Sequence, residues 1–268
     1  MQKFKLLVIT IIIIVGIFTY YLYYIDNHSI NIKEVNLYNK KVDSTKHGLK
    51  ILQFSDSHYS NDNTQKIKLL YKKVTLTKPD IIIFTGDLAD NNLSTTNKKL
   101  LTNYLKKMSA STIKLAVLGE KDTLYDRQIL INGNFTILNN ELLPVYFQNN
   151  EPIYFYGTKH LINKNNFNPD FKNIKRENLF IFLTHNPQNT KLLLKYKPDY
   201  IFAGHNHNKE INFPFIDLEP SSLYPAFTYS FNTTKLYISN GLGHHQYKFR
   251  FNSQPRIELY RLLKNKKS

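Results

Sequence analysis

Residues 6–24 (LLVITIIIIVGIFTYYLYY) make one uncharged, almost wholly apolar run, and beyond it the apolar positions fall into short bursts. A helix of that length crosses the hydrocarbon core of a bilayer. A cleaved signal peptide has a shorter apolar region followed by small residues. Here Tyr20, Tyr21, Tyr23 and Tyr24 follow instead, an aromatic cluster of the kind that sits at a membrane interface. With no cysteine in the chain, a lipidated anchor is excluded. The expectation is a single uncleaved anchor in residues 1–28 and one folded domain in residues 29–268.

Within the domain, Ile30–Leu37 alternates apolar with polar and predicts a half-buried strand. Leu49–Phe54 and Ile81–Phe84 are short continuous apolar runs, the pattern of strands covered on both faces. Between them Gln65–Thr77 carries Ile67, Leu69, Leu70 and Val74 at helical spacing. Strand–helix–strand implies parallel pairing through a right-handed crossover. Ser94–Met108 predicts the next helix, with Thr95 or Thr96 as N-cap, and Ile113–Leu118 the next strand. Phe135–Leu138, Leu143–Phe147 and Ile153–Tyr156 read as short strands with little room for helices. Leu179–Leu183, a helix over Gln188–Tyr196, and Tyr200–Ala203 follow; Tyr237, Ile238, Ile257, Leu259 and Leu262 suggest closing antiparallel strands.

The formal net charge of +16 favours polyanions, among them anionic lipid headgroups, wall polymers and nucleic acid. No basic stripe with interleaved aromatics marks a nucleic-acid footprint, and the anchor argues against that partner. Lys3 and Lys5 precede the apolar run while Asp26 and neutral residues follow it. The positive-inside rule therefore puts the N-terminus in the cytoplasm and the domain outside the cell membrane, although Lys33, Lys40 and Lys41 reduce the contrast.

Candidate chemistry collects where strands end. Asp56 and His58 follow Phe54; Asp87 follows Phe84 and Gly86; Glu120 follows Leu118; His185 follows Leu183; His205 and His207 follow Ala203. Open sheets take their ligands at the carboxyl ends of strands. Carboxylates mixed with imidazoles suit Zn, Mn or Fe better than Ca or Mg. In an extended segment, Asp56/His58 and His205/His207 each point two side chains to one side. His28, His47 and His160 have no such setting and read as ordinary histidines.

Taken together, Asp56-Ser57-His58, Gly86-Asp87, Gly119-Glu120-Lys121-Asp122, His185 and Gly204-His205-Asn206-His207 resemble the calcineurin-like metallophosphoesterase superfamily. Tyr237–Gly243 and Arg250-Phe251-Asn252 resemble the end of its membrane-anchored bacterial branch. The resemblance implies an α/β fold, a two-sheet β-sandwich flanked by helices in four αββα layers. It also implies two divalent metal ions. Asp56, His58 and His207 would hold one, and His185, His205 and Glu120 the other, with Asp87 bridging. A hydroxide shared by two such cations attacks a phosphate ester in line. Lys121 and Asp122 stand at the family's catalytic positions.

Two departures stand out. The family usually has Gly-Asn-His-Asp where this chain has Gly119-Glu120-Lys121-Asp122, and two glycines where it has Asn208-Lys209. Glu120 adds negative charge beside an anionic substrate, and a lysine ammonium is a poorly matched general acid at neutral pH. The expected function is hydrolysis of a phosphodiester or activated phosphate, whose leaving groups need little protonation. The other reading of the Glu-Lys pair is a metal-binding homologue with impaired catalysis that serves as a phosphate-ligand binding or scaffold module.

Overall fold

The computed structural model describes residues 2–108, 112–147, 151–158, 162, 167–207, 210, 223–244, 250, 251 and 253–265, without the side chains of 22, 23 and 25–28. His160, Asn208-Lys209 and Asn252 lie outside them, as does the side chain of His28. The chain begins with helix α1 (Gln2–His28) and then runs β1 (Asn31–Asn39), β2 (Lys50–Phe54), α2 (Thr64–Thr77), β3 (Ile81–Thr85), α3 (Thr95–Lys107) and β4 (Ile113–Val117). It continues α4 (Leu124–Asn132), β5 (Thr136–Ile137), β6 (Glu141–Val145), β7 (Ile153–Gly157), β8 (Phe180–Leu183), α5 (Thr190–Leu193), β9 (Tyr200–Ala203), β10 (Thr228–Phe231), β11 (Thr234–Ile238) and β12 (Arg256–Lys264).

The strands form two six-stranded sheets, ordered β1-β12-β2-β3-β4-β5 and β10-β11-β9-β8-β7-β6. Alternation along each strand explains the layering. Ile81 and Ile83 of β3 join Ile51, Leu115, Ile181 and Phe202 between the sheets. Ile82 and Phe84 turn the other way, onto Ile67, Leu70 and Val74 of α2 and Leu101 and Leu105 of α3. On the far side Phe180, Phe182, Ile201 and Leu236 of the second sheet are covered by Phe171, Ile174 and Leu193. The result is two mixed sheets, flanked by helices, as expected.

One polar link crosses the middle layer. The Gln53 amide donates to Thr85 Oγ1 (3.0 Å) and the Ala203 carbonyl (2.9 Å), and Tyr260 donates to Gln53 Oε1 at 2.9 Å. All of these atoms are buried, so each would be costly unpaired. The network clamps the two sheets together just beneath the ends of β2, β3 and β9.

Several expectations need correction. The closing strands are not simply antiparallel: β11 runs parallel to β9 and β12 parallel to β1, while β10–β11 and β12–β2 are antiparallel. The segment after Asp122 has room for α4, opened by a capping box between Thr123 and Asp126. The helix expected over Gln188–Tyr196 is a four-residue α-turn between two 3-10 turns, starting at Pro187 and ended by Lys197 in the left-handed region (φ 51°). Strand β6 begins at Glu141, earlier than its apolar core suggested.

Register fixes one more relation. Asn31 pairs with Arg256 and Gln53 with Glu258, so β1 starts at the edge of the sheet where β2, β3 and β4 end. Only Ser29 and Ile30 separate α1 from β1, and Ile30 is buried in the core.

Candidate metal centre

At that edge the backbone turns in a way few side chains tolerate. Asp56 (φ 48°), His58 (φ 37°), Asp87 (φ 59°), His205 (φ 72°) and His207 (φ 47°) all occupy the left-handed region. For L-residues other than glycine this costs roughly 1–2 kcal/mol apiece. Strain concentrated on five residues of one cluster is a mark of a functional site. The turns also need absent side chains: a Cβ on Gly86 would enter the His185 ring, and one on Gly119 the Asp87 carboxylate.

The turns bring all seven sequence-nominated metal donors together. Asp56, His58 and His207 form one group whose donor atoms lie within 4.8 Å of one another, and Glu120, His185 and His205 form a second. Asp56, Asp87 and His185 form a third that overlaps both. Asp87 Oδ2 lies 3.8 Å from His58 Nε2 and 3.7 Å from His185 Nε2, between the first two groups. His207 Nε2 is 3.7 Å from Asp56 Oδ1. Glu120 reaches both histidines of its group, with Oε2 2.8 Å from His185 Nε2 and Oε1 2.9 Å from His205 Nδ1. Donors bonded to one cation at about 2.0–2.2 Å stand roughly 3–4 Å apart.

Burial grades the cluster from floor to rim. Asp56 and His185 are fully buried, and His58, Asp87 and His207 nearly so, whereas the Glu120 and His205 side chains are 30% and 33% exposed. Burial pushes the Asp56 carboxyl up, but His207, His185, the Ser55 hydroxyl and His58 outweigh it and hold its pKa low. Burial dominates at Asp87 and, with Asp56 and Glu120 nearby, raises its pKa although His185 and the Lys121 N–H oppose. Burial works against protonated His185, but Glu120, Asp56 and Asp87 raise its pKa to about 10. The Glu120 pKa is lowered despite its own desolvation, through His185 and His205. The centre therefore favours positive charge. Buried carboxylates and imidazoles in this mixture fit divalent cations.

Other groups hold the donors in place. Thr85 supplies a carbonyl 2.6 Å from His185 Nδ1, which fixes that nitrogen as the donor and aims Nε2 into the cluster. Asp122 accepts N–H bonds from Asp87 (2.9 Å), Leu88 (2.7 Å) and Gly119 (2.8 Å), tying the β3 and β4 loops together. Burial pushes its pKa up to about 7, the backbone donors opposing and Asp87 and Asp126 assisting. The Lys121 N–H donates to Asp87 Oδ1 at 3.1 Å, and its side chain is exposed. Along the rim beyond Glu120, a cleft of roughly 260 Å³ opens beside Gly119, Asn139 and Thr158.

Two contributors were not nominated as site residues. Arg250 Nη2 lies 3.2 Å from His207 Nδ1, and its guanidinium donates to the carbonyls of Gly243 and Asn240. Glu210 Oε1 lies 3.2 Å from His207 Nδ1 and is buried. The Arg250-Phe251-Asn252 motif was the available signal for Arg250, but sequence distance hid its contact with His207. Gly243 donates to the Asp56 carbonyl at 2.7 Å, an approach close enough that a Cβ there would strike the Ser57 backbone and His58.

The sequence also matches known proteins. It is 27% identical over 256 residues to the metallophosphoesterase YkuE of Bacillus subtilis, covering 90% of this chain and 88% of YkuE. It is 24% identical over 280 residues to the UDP-2,3-diacylglucosamine pyrophosphatase LpxG of Chlamydia muridarum, covering 81% and 84%. TT1561 of Thermus thermophilus, a solved structure, aligns with a TM-score of 0.49 at 12% identity over 73% of this chain and 90% of that one. Residues 49–209 match the model of the calcineurin-like phosphoesterases, a stretch that begins at β2 and takes in all seven donors. The chain belongs to the calcineurin-like phosphoesterase family, hydrolases of phosphoric ester bonds that use divalent metals.

Proposed function

We propose that this chain is a membrane-anchored phosphoesterase with a two-cation centre. Asp56, His58 and His207 hold one divalent ion; His185, His205 and Glu120 hold the other; Asp87 serves both. The observation that carries this reading is the place of Asp87 Oδ2, 3.8 Å from a histidine of one group and 3.7 Å from a histidine of the other. When bound, such a pair neutralises charge on the phosphoryl oxygens and activates water as the nucleophile.

The protein's own groups divide the remaining work. The Thr85 carbonyl orients His185, and the Glu210 carboxylate, as acceptor for His207 Nδ1–H, orients His207. Asp122, assigned a catalytic position by resemblance, acts as a positioning residue, because both its oxygens accept backbone N–H groups. Lys121 at the exposed rim offers hydrogen bonds and positive charge to a substrate phosphate. It protonates a departing oxygen poorly, so the reading favours phosphodiesters and activated phosphates such as pyrophosphates. LpxG is a pyrophosphatase, which agrees with that preference.

Helix α1 includes an apolar stretch, Gln2–Tyr21, long enough to cross a membrane and unburied by the protein. We assign residues 1–28 as the anchor and 29–268 as the phosphoesterase domain. Lys3 and Lys5 ahead of the apolar stretch support a cytoplasmic N-terminus and a domain outside.

Full-length protein stripped with a chelator and reloaded with Mn²⁺ tests the enzymatic reading. Hydrolysis of bis(p-nitrophenyl) phosphate should vanish on stripping and return on reloading. Aryl diesters should exceed alkyl monoesters by about a hundredfold or more, the lower end of the range for general-acid help. Full metal uptake with no turnover of any ester would favour the scaffold reading, for which the Glu120-Lys121 pair is the motive.

A further inference from the structure

The way α1 joins the domain gives the metal centre a direction. Strand β1 starts at the edge that carries Asp56, Asp87 and Glu120, and two residues link it to α1. Two residues span at most about 7 Å. The seven helical residues that follow Tyr21, ending at His28, add roughly 10 Å. A domain tied so closely, with Ile30 locked in its core, has little freedom to swing its site edge away from the anchor's end.

A side-chain contact brings the two closer still. The ring of Phe18, inside the apolar stretch Gln2–Tyr21, meets the ring of Phe251 with centroids 6.1 Å apart. Phe251 follows Arg250, whose guanidinium touches His207. A candidate ligand and the last turns of the apolar stretch are thus linked through two adjacent residues.

The same edge presents apolar side chains to solvent. Leu124 is 85% and Tyr125 69% exposed at the start of α4, directly after Thr123 and Asp122. Lys98, in the first turn of α3, sits with Nζ 4.3 Å from the Tyr125 ring centroid. Exposed Leu223 precedes Tyr224, whose carbonyl accepts from Asn206 between His205 and His207. Scattered exposed apolar residues need no explanation, and Leu76 at the opposite edge is equally bare. What distinguishes this set is its shared edge with the α1 junction, together with aromatic and lysine side chains of the kind that settle at headgroup level. The chain's net charge of +16 suits an anionic surface.

We propose that the metal-centre face lies against the bilayer that receives α1, with Leu124 and Tyr125 seated in the interface, and that the substrate is an amphiphilic phosphate ester. Its phosphate reaches the cluster at headgroup level while its acyl chains stay in the membrane. This deepens the phosphoesterase reading and rests on the anchoring assigned above.

The chain contains no tryptophan, so single introduced tryptophans report position cleanly. Full-length variants Ile13→Trp, Tyr125→Trp and Leu76→Trp are reconstituted in phosphatidylcholine–phosphatidylglycerol vesicles with shallowly brominated acyl chains. Ile13→Trp and Tyr125→Trp should be blue-shifted and quenched, and Leu76→Trp neither. Quenching at Ile13→Trp with Tyr125→Trp behaving like Leu76→Trp overturns the proposal and leaves the anchor intact. No quenching at Ile13→Trp overturns the anchor and the proposal with it. The substrate class is read with Leu124→Asp/Tyr125→Asp. Hydrolysis of vesicle-embedded phosphatidyl-p-nitrophenol should fall by at least about tenfold, a lower bound for removing two partly seated apolar side chains, while soluble bis(p-nitrophenyl) phosphate is turned over as before. Equal loss on both substrates, or no loss on either, overturns it.

Discussion

Replacing Asp87 with asparagine should abolish turnover by about a thousandfold or more and leave the protein folded. The fold is spared for local reasons. Asp87 sits at φ 59°, a conformation that asparagine adopts more readily than most residues. Its Oδ1 accepts the Lys121 N–H, and an amide oxygen accepts equally well. What the substitution removes is the negative charge and one of two oxygens, at the point between His58 and His185. In the proposed centre, sharing of two cations depends on that second oxygen. Charge stabilisation at such centres is worth several kcal/mol, and about 4 kcal/mol corresponds to the stated factor. Metal content should fall from two ions per chain, measured by mass spectrometry of the desalted protein. Unchanged metal content with wild-type turnover would show that Asp87 is only a turn residue.

The second large effect concerns the pair that departs from the family. Glu120→Asn with Lys121→His should raise turnover of esters with poor leaving groups by about 100- to 10,000-fold, the usual worth of general-acid catalysis. Glu120 spans His185 and His205 with one oxygen each, so the cluster carries three carboxylates where asparagine would leave two. Asparagine restores one unit of positive charge beside the substrate, and histidine supplies a proton at neutral pH. Both positions lie on the exposed rim, where substitutions seldom disturb the fold. Single replacements should gain less. The rate should also depend less steeply on leaving-group pKa in the double variant, which a purely structural change would not produce. An inactive double variant that still binds two ions would rule out the pair as the limit on rate.

Much of the site was legible because the buried strands are short and punctuated. Ile81–Phe84 runs straight into Gly86-Asp87, and the same strand-then-ligand pattern recurs at Asp56, Glu120, His185 and His205. The layers followed from the alternation in those strands. Less legible was α4, whose exposed Leu124 and Tyr125 mask any amphipathic stripe and whose capping box uses aspartate. Tail directions were also hidden, because the pairing of β12 with β1 is set by where distant segments meet. The left-handed turns at Asp56, His58, Asp87, His205 and His207 leave only a faint mark in residue type, since aspartate and histidine enter that region more often than most residues but far less distinctively than glycine. Arg250 stood in a family-like motif, but its contact with His207 emerged only from packing.

The two-cation centre is tested most directly by electron paramagnetic resonance of the full-length protein loaded with Mn²⁺. Two ions per chain sharing Asp87 should give the many-line spectrum of an exchange-coupled pair, and Asp87→Asn should collapse it to the six-line signal of isolated Mn²⁺. A folded wild-type protein that saturates at one ion, or shows two uncoupled ions, would contradict the shared centre.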